Sequence, residues 1–238
     1  MEKSSKKVAL VTGANKGLGL EIARQLGQQG IAVVLGARQG KAEAAAAELR
    51  AQGLDAHAIE LDVTNAADIA ALPPFFENTF GRLDILVNNA GVQLDEGPEV
   101  SPDTLRQTYE ANVIAPYAIT QALLPLLRHS PAGRIVNHSS ILGSLTTIAD
   151  GQGGEWATPG YTSSKAALNM LTVVLAQQLA QTTIKVNAAH PGWVKTDLGG
   201  PGALLDVSEG AKTAMRLALL PADGPTGGFF HDLERLPW

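Results

Sequence analysis

The 238-residue sequence predicts an α/β fold in which a doubly wound parallel sheet carries helices on both faces. Two observations predict it. Short apolar, β-rich runs alternate with helical stretches along the chain, and a glycine-rich turn follows the first run. Strands that are apolar throughout are typical of parallel sheets covered on both faces. The handedness of the connections then leaves few topologies, of which the doubly wound sheet is the leading one.

The elements can be assigned in order along the chain. Apolar residues from Leu20 to Leu26 mark the first helix, which Gly30 ends. The Ala/Glu-rich segment 41–52 is predicted as the second helix, because its composition has high helix propensity. A helical stretch precedes each later strand. The predicted strands are Val8–Val11, Ile31–Leu35, Ala56–Leu61, Ile85–Asn88, Arg134–Asn137 and Lys185–Ala189.

No change in composition marks a linker and no repeat is present, so residues 1–238 are expected to form a single domain after a polar tail at 1–6. The longest irregular piece is predicted at 141–160, which is rich in Gly and Thr. A loop of that length inside a compact domain is usually functional or mobile. It lies just before Tyr161, where it would border a substrate site.

Composition excludes several classes of function. The net charge of −5 and the lack of a Lys/Arg run argue against nucleic-acid binding. There is no cysteine, which excludes disulfides and thiol nucleophiles, and no stretch approaches the ~18 apolar residues of a membrane span. The basic start is followed by an apolar run too short for a secretory signal, so a cytoplasmic location is expected. No metal site is predicted, because metal-ligand spacing is absent among His57, His129, His138, His190 and His231.

The glycine turn lies between the first strand and the first helix and predicts dinucleotide binding. Gly13 would permit the tight turn, while Gly17 and Gly19 would let the backbone approach a pyrophosphate at the helix N-terminus. Glycines also end strands for purely structural reasons. The strand–turn–helix setting is what makes the pattern informative and the sheet Rossmann-type.

Two cations favour NADP(H) over NAD(H). Arg38 follows the second strand, where NAD-preferring sheets place an acid, and Lys16 lies inside the glycine turn. Both suit a 2′-phosphate, although Arg38 could instead be an ordinary surface arginine. Asp62 and Val63 could bracket the adenine; alternatively, Asp62 caps the helix that begins near residue 65.

Tyr161 and Lys165 predict proton transfer. On a helix, positions i and i+4 share a face, so the ammonium would lie beside the phenol. A tyrosine with a pKa of about 10 is a weak proton donor to a carbonyl. A neighbouring cation is expected to lower that pKa toward the working pH. Hydride from a nicotinamide and a proton from Tyr161 would together reduce a carbonyl group.

With these residues in place, the chain resembles the short-chain dehydrogenase/reductase family over essentially its whole length. Each motif is weak alone, but all of them stand in the family's order. The segments 14–21, 190–197 and 224–230, with the final Pro237-Trp238, are closer still to the carbonyl-reductase branch. The matching motifs are Thr12–Gly19, Asn88–Gly91, Asn112, Ser140, Tyr161 with Lys165, and Pro191-Gly192.

The resemblance implies a role for each matching position. Tyr161 would protonate the carbonyl oxygen, and Lys165 would lower its pKa and bind the nicotinamide ribose. Ser140, rather than Ser139, would donate to the substrate oxygen, and Asn112 would hold a water that connects Lys165 to solvent. Asn88 would brace its strand. The implied cofactor-binding residues are Gly13, Asn15, Lys16, Gly17, Leu18, Gly19, Arg38, Asp62, Val63, Asn89, Ala90, Gly91, Tyr161, Lys165, Pro191, Gly192, Val194 and Thr196.

One departure from the family pattern concerns assembly. The gap between Ser140 and Tyr161 is longer than usual, and a still longer insert in similar carbonyl reductases is associated with blocked oligomerisation. The longer gap therefore argues against the family's common tetramer. A homodimer, a homotetramer and a monomer are all left open by the sequence. The lip of the pocket is expected to be acidic, at Asp95, Glu96, Glu99, Asp150 and Glu155. The candidate pocket residues are Val92, Leu142, Trp156, Trp193 and Leu198, each of which could instead be packing.

The sequence supports three functional hypotheses. The first is NADPH-dependent reduction of an apolar or aromatic aldehyde or ketone by the tetrad Asn112, Ser140, Tyr161 and Lys165. The second is a regulatory protein that binds NADP(H) without turnover, which the fold alone permits. The third is a dehydrogenase of a steroid- or sugar-type alcohol, or of a carrier-bound ketone. An acidic lip argues against a carrier-bound substrate, and the complete tetrad argues against a protein without turnover.

Overall fold

A computed structural model describes residues 6–95, 97–232 and 234–238. Residues 1–5 of the predicted polar tail and Glu96 of the predicted lip lie outside the described residues. The described strands are β1 (Val8–Thr12), β2 (Ala32–Ala37), β3 (Ala56–Glu60), β4 (Ile85–Asn88), β5 (Arg134–His138), β6 (Lys185–Ala189), β7 (Phe229–His231) and β8 (Glu234–Arg235).

The helices alternate with these strands, as the sequence pattern predicts. A π-helical turn, Glu110–Ile114, interrupts the path from α4 to α5, and 3₁₀ turns cover Ile141–Gly143 and Gly154–Trp156. The α-helices are α1 (Gly17–Gln28), α2 (Lys41–Ala51), α3 (Ala66–Thr79), α4 (Pro102–Tyr109), α5 (Ala115–Arg128), α6 (Leu145–Ala149), α7 (Pro159–Gln178) and α8 (Val207–Ala218).

The strands form one sheet in the order β3-β2-β1-β4-β5-β6-β7-β8. Pairing is parallel from β3 to β7, and only the β7–β8 pair is antiparallel. The doubly wound α/β fold predicted from the sequence is therefore confirmed. The order reverses between β1 and β4, and in such sheets ligands bind in the crevice beyond the carboxyl ends of the strands at that point.

Each face of the sheet has its own apolar core. Side chains of β1 alternate between the two, since Ala9 and Val11 pack with α1 and α8 while Val8 and Leu10 pack with α3 and α5. All five residues of β1 are buried, as are all of β2, β4 and β5. Two buried faces explain why these strands are apolar throughout rather than alternating.

The segment 141–160 differs from the predicted extended loop. It contains the short helix α6 between two 3₁₀ turns, and Ser144 caps α6 by accepting a hydrogen bond from the Thr147 N–H. The C-terminus holds this region in place, because Thr146 donates both its N–H and its hydroxyl to the carbonyl of Trp238. Pieces this short carry little periodicity, so the pattern did not reveal them.

Two absences concern only the part of the chain that the structure describes. There, no helix is both long and apolar enough to cross a membrane. The same residues contain no group of three or more His, Asp or Glu side chains that could hold a metal ion.

Candidate active site

The candidate site lies at the carboxyl edge of the sheet, beside the adjacent ends of β1 and β4, where the strand order reverses. Thr12 at the end of β1 joins the two strands, since its hydroxyl oxygen accepts hydrogen bonds from the N–H groups of Asn89 and Ala90, both at 3.0 Å. Asn89 returns the contact by donating its side-chain amide to the Thr12 carbonyl at 2.9 Å. These bonds fix the predicted cofactor-binding segment 89–91 against the glycine turn.

The glycines of the turn serve different purposes. Gly13 has a φ of +64°, a left-handed conformation that favours glycine. Gly19 is buried, and a Cβ there would lie 2.5 Å from both the side-chain amide of Asn89 and the Gly13 carbonyl. The missing side chain of Gly19 therefore makes room for Asn89 and the Gly13 carbonyl, and its predicted approach to a pyrophosphate stays a prediction.

The N-terminus of α1 is open to an anion. Its N-cap residue, Lys16, makes no side-chain capping bond, and no acidic residue lies in the first turn. The orphan N–H groups and the helix dipole both favour a phosphate at such a position. Asn15 is half-buried beside the turn, whereas Leu18 turns away from it and packs against the core between α1 and α8.

Lys16 has a partner that the sequence did not suggest. Its ammonium pairs with the carboxylate of Asp197, and both side chains are exposed. The hydrogen bond from Lys16 lowers the pKa of Asp197 below its ordinary value. Beside this pair, a Cβ on Gly17 would lie 3.4 Å from the Thr196 methyl group. The segment 191–197 therefore faces the glycine turn across the cofactor cleft.

That segment is shaped by its own contacts. Gly192 has a φ of +83°, and a Cβ there would meet Leu205 at 2.5 Å. Val194 is buried and bridges to Leu205, while the Thr196 hydroxyl donates to the Val194 carbonyl at 3.3 Å. Pro191, partly exposed, begins the segment two residues after the end of β6.

Arg38 and Asp62 lie at the ends of β2 and β3. Arg38 is exposed, and its charge helps to lower the pKa of Asp62, after the larger effect of hydrogen bonds from Thr64 to that carboxylate. The alternative role for Asp62 as a helix cap is wrong, since Asn65 caps α3 by accepting from the Ala67 and Asp68 N–H groups. Val63 packs partly against the core on the α3 side.

Asn88 and Asn89 both act as braces. Asn88 is buried and donates to the Thr120 hydroxyl and to the side-chain oxygen of Asn137, as expected for a strand brace. The Asn89 side chain is engaged by Thr12 and by the ring of His138, whose Nδ1 lies 2.9 Å from its oxygen. The Asn89 side chain is thus held by contacts within the protein.

Tyr161 and Lys165 lie one turn apart on the buried face of α7. The Lys165 Nζ atom is 5.5 Å from the centre of the Tyr161 ring, and it donates a 2.8 Å hydrogen bond to the His138 carbonyl at the end of β5. The exposed fractions are 7% for Tyr161 and 5% for Lys165. A Cβ on Gly91 would lie 3.5 Å from that Nζ, so the ammonium lies against the 89–91 segment.

The electrostatics of this pair correct one expectation. Burial raises the pKa of Tyr161 to about 12, and a hydrogen bond with Ser140 only partly opposes it. Burial also lowers the pKa of Lys165 to about 8, since a buried ammonium loses its hydration. In this arrangement the pKa of Tyr161 therefore lies above its ordinary value rather than below it as predicted, because burial of the phenol is the largest effect.

Ser140, and not Ser139, reaches Tyr161. The Ser140 side chain hydrogen-bonds the phenol and also accepts from the Leu142 N–H at 3.2 Å. Ser139 is 3% exposed and its hydroxyl has no hydrogen-bond partner among the described residues. The two serines follow a strand and point to opposite sides.

Asn112 lies in the π-helical turn between α4 and α5. Its side-chain amide donates to the Val92 carbonyl at 2.8 Å and to the Ser164 hydroxyl at 3.0 Å, and its oxygen accepts from the Val92 N–H at 2.8 Å. Both amide hydrogens are thus engaged. π-Helical turns inside helices occur frequently at functional sites.

Trp156 and Trp193, two of the predicted pocket residues, come from different segments and contact each other. The ring centres of Trp156 and Trp193 are 5.6 Å apart, and the Trp193 indole N–H donates to the Gly199 carbonyl. Both rings remain about half exposed, as does Leu198. Val92 is half-buried, and its main chain is held by Asn112.

Leu142 borders a cavity of about 290 Å³ between the 141–160 segment and α7, together with Ile148, Ala157, Thr162 and Ala166. Neither Ser140 nor Tyr161 borders that cavity. The place of Leu142 in a substrate pocket therefore stays a prediction.

The predicted acidic lip is only partly present. Glu99, Asp150 and Glu155 are exposed, but Asp95 is 4% exposed and its carboxylate accepts the N–H groups of Gly160 and Tyr161. Sequence reasoning missed this contact, because a carboxylate in a Gly- and Pro-containing loop is usually solvated.

The fold and these residues define a member of the short-chain dehydrogenase family, whose family model matches residues 7–202. The chain belongs to that family, as the sequence predicted.

Named relatives extend over the whole chain. It is 37% identical to short-chain dehydrogenase/reductase 1 of Saponaria officinalis, with 99% of this chain and 97% of the relative covered. It is 34% identical to carbonyl reductase [NADPH] 1 of Mus musculus, with 99% of both covered. The solved structure of NADPH-bound carbonyl reductase from chicken fatty liver matches with a TM-score of 0.85 at 29% identity, covering 98% of this chain and 99% of that one.

Proposed function

We propose that this protein is an NADP-dependent oxidoreductase that reduces an aldehyde or ketone to the alcohol, with Tyr161 as the proton donor. The observation that carries the proposal is the meeting of Tyr161, Ser140 and Lys165 beside the 89–91 segment at the switch point of the sheet. Carbonyl reductases that use NADPH are among the relatives that match nearly the whole chain. Residues 1–238 would act as one catalytic domain.

The cleft fits a phosphorylated dinucleotide. The uncapped N-terminus of α1 offers N–H groups to a pyrophosphate, and Arg38 and Lys16 are exposed cations near the end of β2 and in the glycine turn. Cations at these places favour a 2′-phosphate, so NADP(H) is preferred over NAD(H). NADPH, when bound, supplies the hydride that adds to the carbonyl carbon.

The residues of this chain handle the proton. As the hydride adds, the π electrons move to the carbonyl oxygen, and Tyr161 transfers its phenolic proton to that oxygen. A raised pKa keeps the Tyr161 phenol protonated at neutral pH, so the proton is available for transfer. Ser140 would donate its hydroxyl to the substrate oxygen, which stabilises the negative charge that develops on that oxygen.

Lys165 and Asn112 would restore the proton. An ammonium whose pKa is about 8 can exchange a proton near neutral pH, unlike an ordinary lysine. The side-chain amide of Asn112 already donates to Val92 and Ser164. A water held by Asn112 would therefore donate to its side-chain or main-chain carbonyl oxygen. This arrangement would connect Lys165 with solvent.

The mouth favours a flat, apolar substrate. Trp156, Trp193 and Leu198 present half-exposed apolar surface there. Aromatic rings stack well against such side chains. The substrate class we propose is therefore an aryl or otherwise apolar carbonyl compound.

The proposal is tested by NADPH oxidation, followed by absorbance, over a panel of aldehydes, aryl ketones, diketones and quinones, with NADH in parallel. We expect turnover with NADPH and little with NADH. Tyr161→Phe should abolish turnover while leaving NADPH affinity within about twofold, because the ring and its packing are kept. A Tyr161→Phe variant that retained most of the wild-type rate would rule out the mechanism.

The control distinguishes loss of chemistry from loss of fold. Tyr117→Phe removes the hydroxyl of a tyrosine that is 44% exposed on α5, outside the site. It should keep both turnover and NADPH affinity. Wild-type protein that binds NADPH tightly yet reduces nothing in the panel would favour a ligand-binding role instead.

A further inference from the structure

Asp95 connects the loop after β4 to the helix that carries Tyr161. Its carboxylate oxygen Oδ2 accepts the Gly160 N–H at 2.6 Å, and both oxygens lie 3.2 Å from the Tyr161 nitrogen. Asp95 is 4% exposed. A buried carboxylate is costly unless hydrogen bonds compensate it, and here backbone N–H groups supply them.

Helix α7 lacks the cap that its own sequence would normally provide. Thr158 occupies the N-cap position but makes no capping bond, and its hydroxyl has no partner among the described residues. Pro159 has no N–H to satisfy. The free N–H groups of Gly160 and Tyr161 are therefore satisfied from 65 and 66 residues earlier in the chain. A negative charge at this helix end is also favoured by the helix dipole.

The same loop fixes a second residue of the site. Three residues before Asp95, the N–H and carbonyl of Val92 both bond the side chain of Asn112. Segment 92–95 thus joins Asn112 at one end to Tyr161 at the other. Ser164 closes the loop of contacts, since it accepts from Asn112 and donates to the Tyr161 carbonyl at 2.7 Å.

We infer that Asp95 is a positioning residue, whose carboxylate fixes the first turn of α7 so that the Tyr161 hydroxyl meets the substrate oxygen. The inference rests on the proposed function, because the position of Tyr161 matters only if it is the proton donor. Misplacement of a reacting group by about 1 Å can cost about 100-fold in rate. The hydrogen bond from the Tyr161 N–H to the Asp95 carboxylate restrains the main chain of Tyr161 against such a shift.

Substitution of Asp95 tests the inference. Asp95→Ala removes both acceptors, and we expect kcat to fall by about tenfold or more while the Kd for NADPH changes by less than about twofold. The primary isotope effect on kcat with 4-deuterated NADPH should rise, because hydride transfer becomes more rate-limiting. Asp95→Asn keeps one acceptor oxygen and should restore much of the rate.

A matched control separates positioning from stability. Asp84 is also a buried carboxylate that accepts a distant backbone N–H, that of Val8 at 2.9 Å, but it lies at the opposite end of the sheet. Asp84→Asn should lower Tm without changing kcat or the isotope effect. If Asp95→Ala lowers Tm in the same way but keeps kcat within about twofold, the inference is overturned.

Gly160→Ala tests the contact from the other side. A Cβ there would lie 3.0 Å from Oδ2 of Asp95 and would press the carboxylate away. Alanine has the higher helix propensity, so stability should be kept better than in the Asp95 variants while kcat falls. Should Asp95→Ala fail to fold, a wild-type kcat and isotope effect in Gly160→Ala would overturn the inference.

Tyr161→Phe in the same assay distinguishes failure of the proposed function from failure of the positioning role of Asp95. If Tyr161→Phe keeps its rate, the proposed function fails and the inference fails with it. If Tyr161→Phe is inactive while the Asp95 and Gly160 variants are as active as the wild type, only the positioning role of Asp95 is wrong.

Discussion

The Lys165 ammonium donates to the His138 carbonyl at 2.8 Å and lies 5.5 Å from the centre of the Tyr161 ring. It is thus anchored to the end of β5 rather than free to follow the phenol. The carbonyl of His138 and the 89–91 segment surround a charge that has lost most of its water. Burial therefore disfavours the charged form of the Lys165 side chain.

Lys165 should make stability depend on pH. Burial lowers its pKa from 10.5 to about 8, so between these values the unfolded chain binds more protons and the free energy of unfolding rises with pH. The rise would be on the order of 3 kcal/mol. We expect the Tm of the wild type, relative to the Tm of Lys165→Met, to increase from pH 8 to pH 10. Parallel melting curves of the two proteins across this range would contradict the expectation.

His138 should make the protein sensitive to acid. Burial, with smaller effects of Lys165 and His190, lowers its pKa from 6.5 to about 3. As pH falls below 6.5 the unfolded chain takes up a proton that the folded chain does not, so stability decreases by about 2 kcal/mol at pH 5. His138→Gln should lose less stability than the wild type between pH 7 and pH 5. Urea denaturation at both pH values measures the difference, and equal losses would count against it.

Arg38 should distinguish the two cofactors. Arg38→Asp is expected to weaken NADPH binding about 10- to 100-fold, the loss of a charge-assisted contact, with a much smaller effect on NADH. Fluorescence titration of both cofactors provides the comparison. Arg106→Asp, an exposed arginine on α4, serves as the control. Equal weakening of both cofactors by Arg38→Asp would show that Arg38 does not contact the 2′-phosphate.

Asp197 should compete with the cofactor for Lys16. The two side chains pair across the cleft, so a 2′-phosphate must draw Lys16 away from Asp197. Asp197→Asn is expected to tighten NADPH binding by up to about fivefold, since exposed pairs are weak, and to leave NADH binding unchanged. Asp103→Asn, which removes another exposed paired carboxylate, is the control. Tighter binding of both cofactors alike would point to a general charge effect instead.

The Trp156–Trp193 contact should select substrates by size. Removing either ring takes stacking surface from the mouth. We expect Trp156→Ala to raise KM for aryl ketones by about 5- to 10-fold, the value of an aromatic contact, and to leave KM for a short aldehyde nearly unchanged. Met170→Ala, exposed on α7, is the control. A uniform rise in KM over the panel would mean that Trp156 supports the loop rather than the substrate.

Much of the fold was predictable because burial on both faces makes the central strands apolar throughout. The runs at 85–88 and 185–189 match β4 and β6 residue for residue, and the others differ by one or two residues at one or both ends. β7 and β8 were not predicted, since strands of three and two residues carry too little pattern.

The site was predictable as a set of residues but not as an environment. Spacing along α7 places Tyr161 near Lys165, whereas the loss of hydration that raises one pKa and lowers the other depends on packing from β5 and the 89–91 segment. The burial of Asp95 is equally invisible in sequence, because it depends on a contact between residues 65 apart. Local patterns identify which side chains can act, and long-range contacts decide their chemistry.

The ion pair between Lys16 and Asp197 joins residues 181 positions apart in the chain. A nascent chain that ends before Thr196 would contain the glycine turn and six strands of the sheet, yet only one wall of the cofactor cleft. Contacts of such long range form late, since the entropy of closing the chain must be overcome first. We therefore expect the ability to bind cofactor to arise only after the segment 191–197 has been made and has reached the glycine turn.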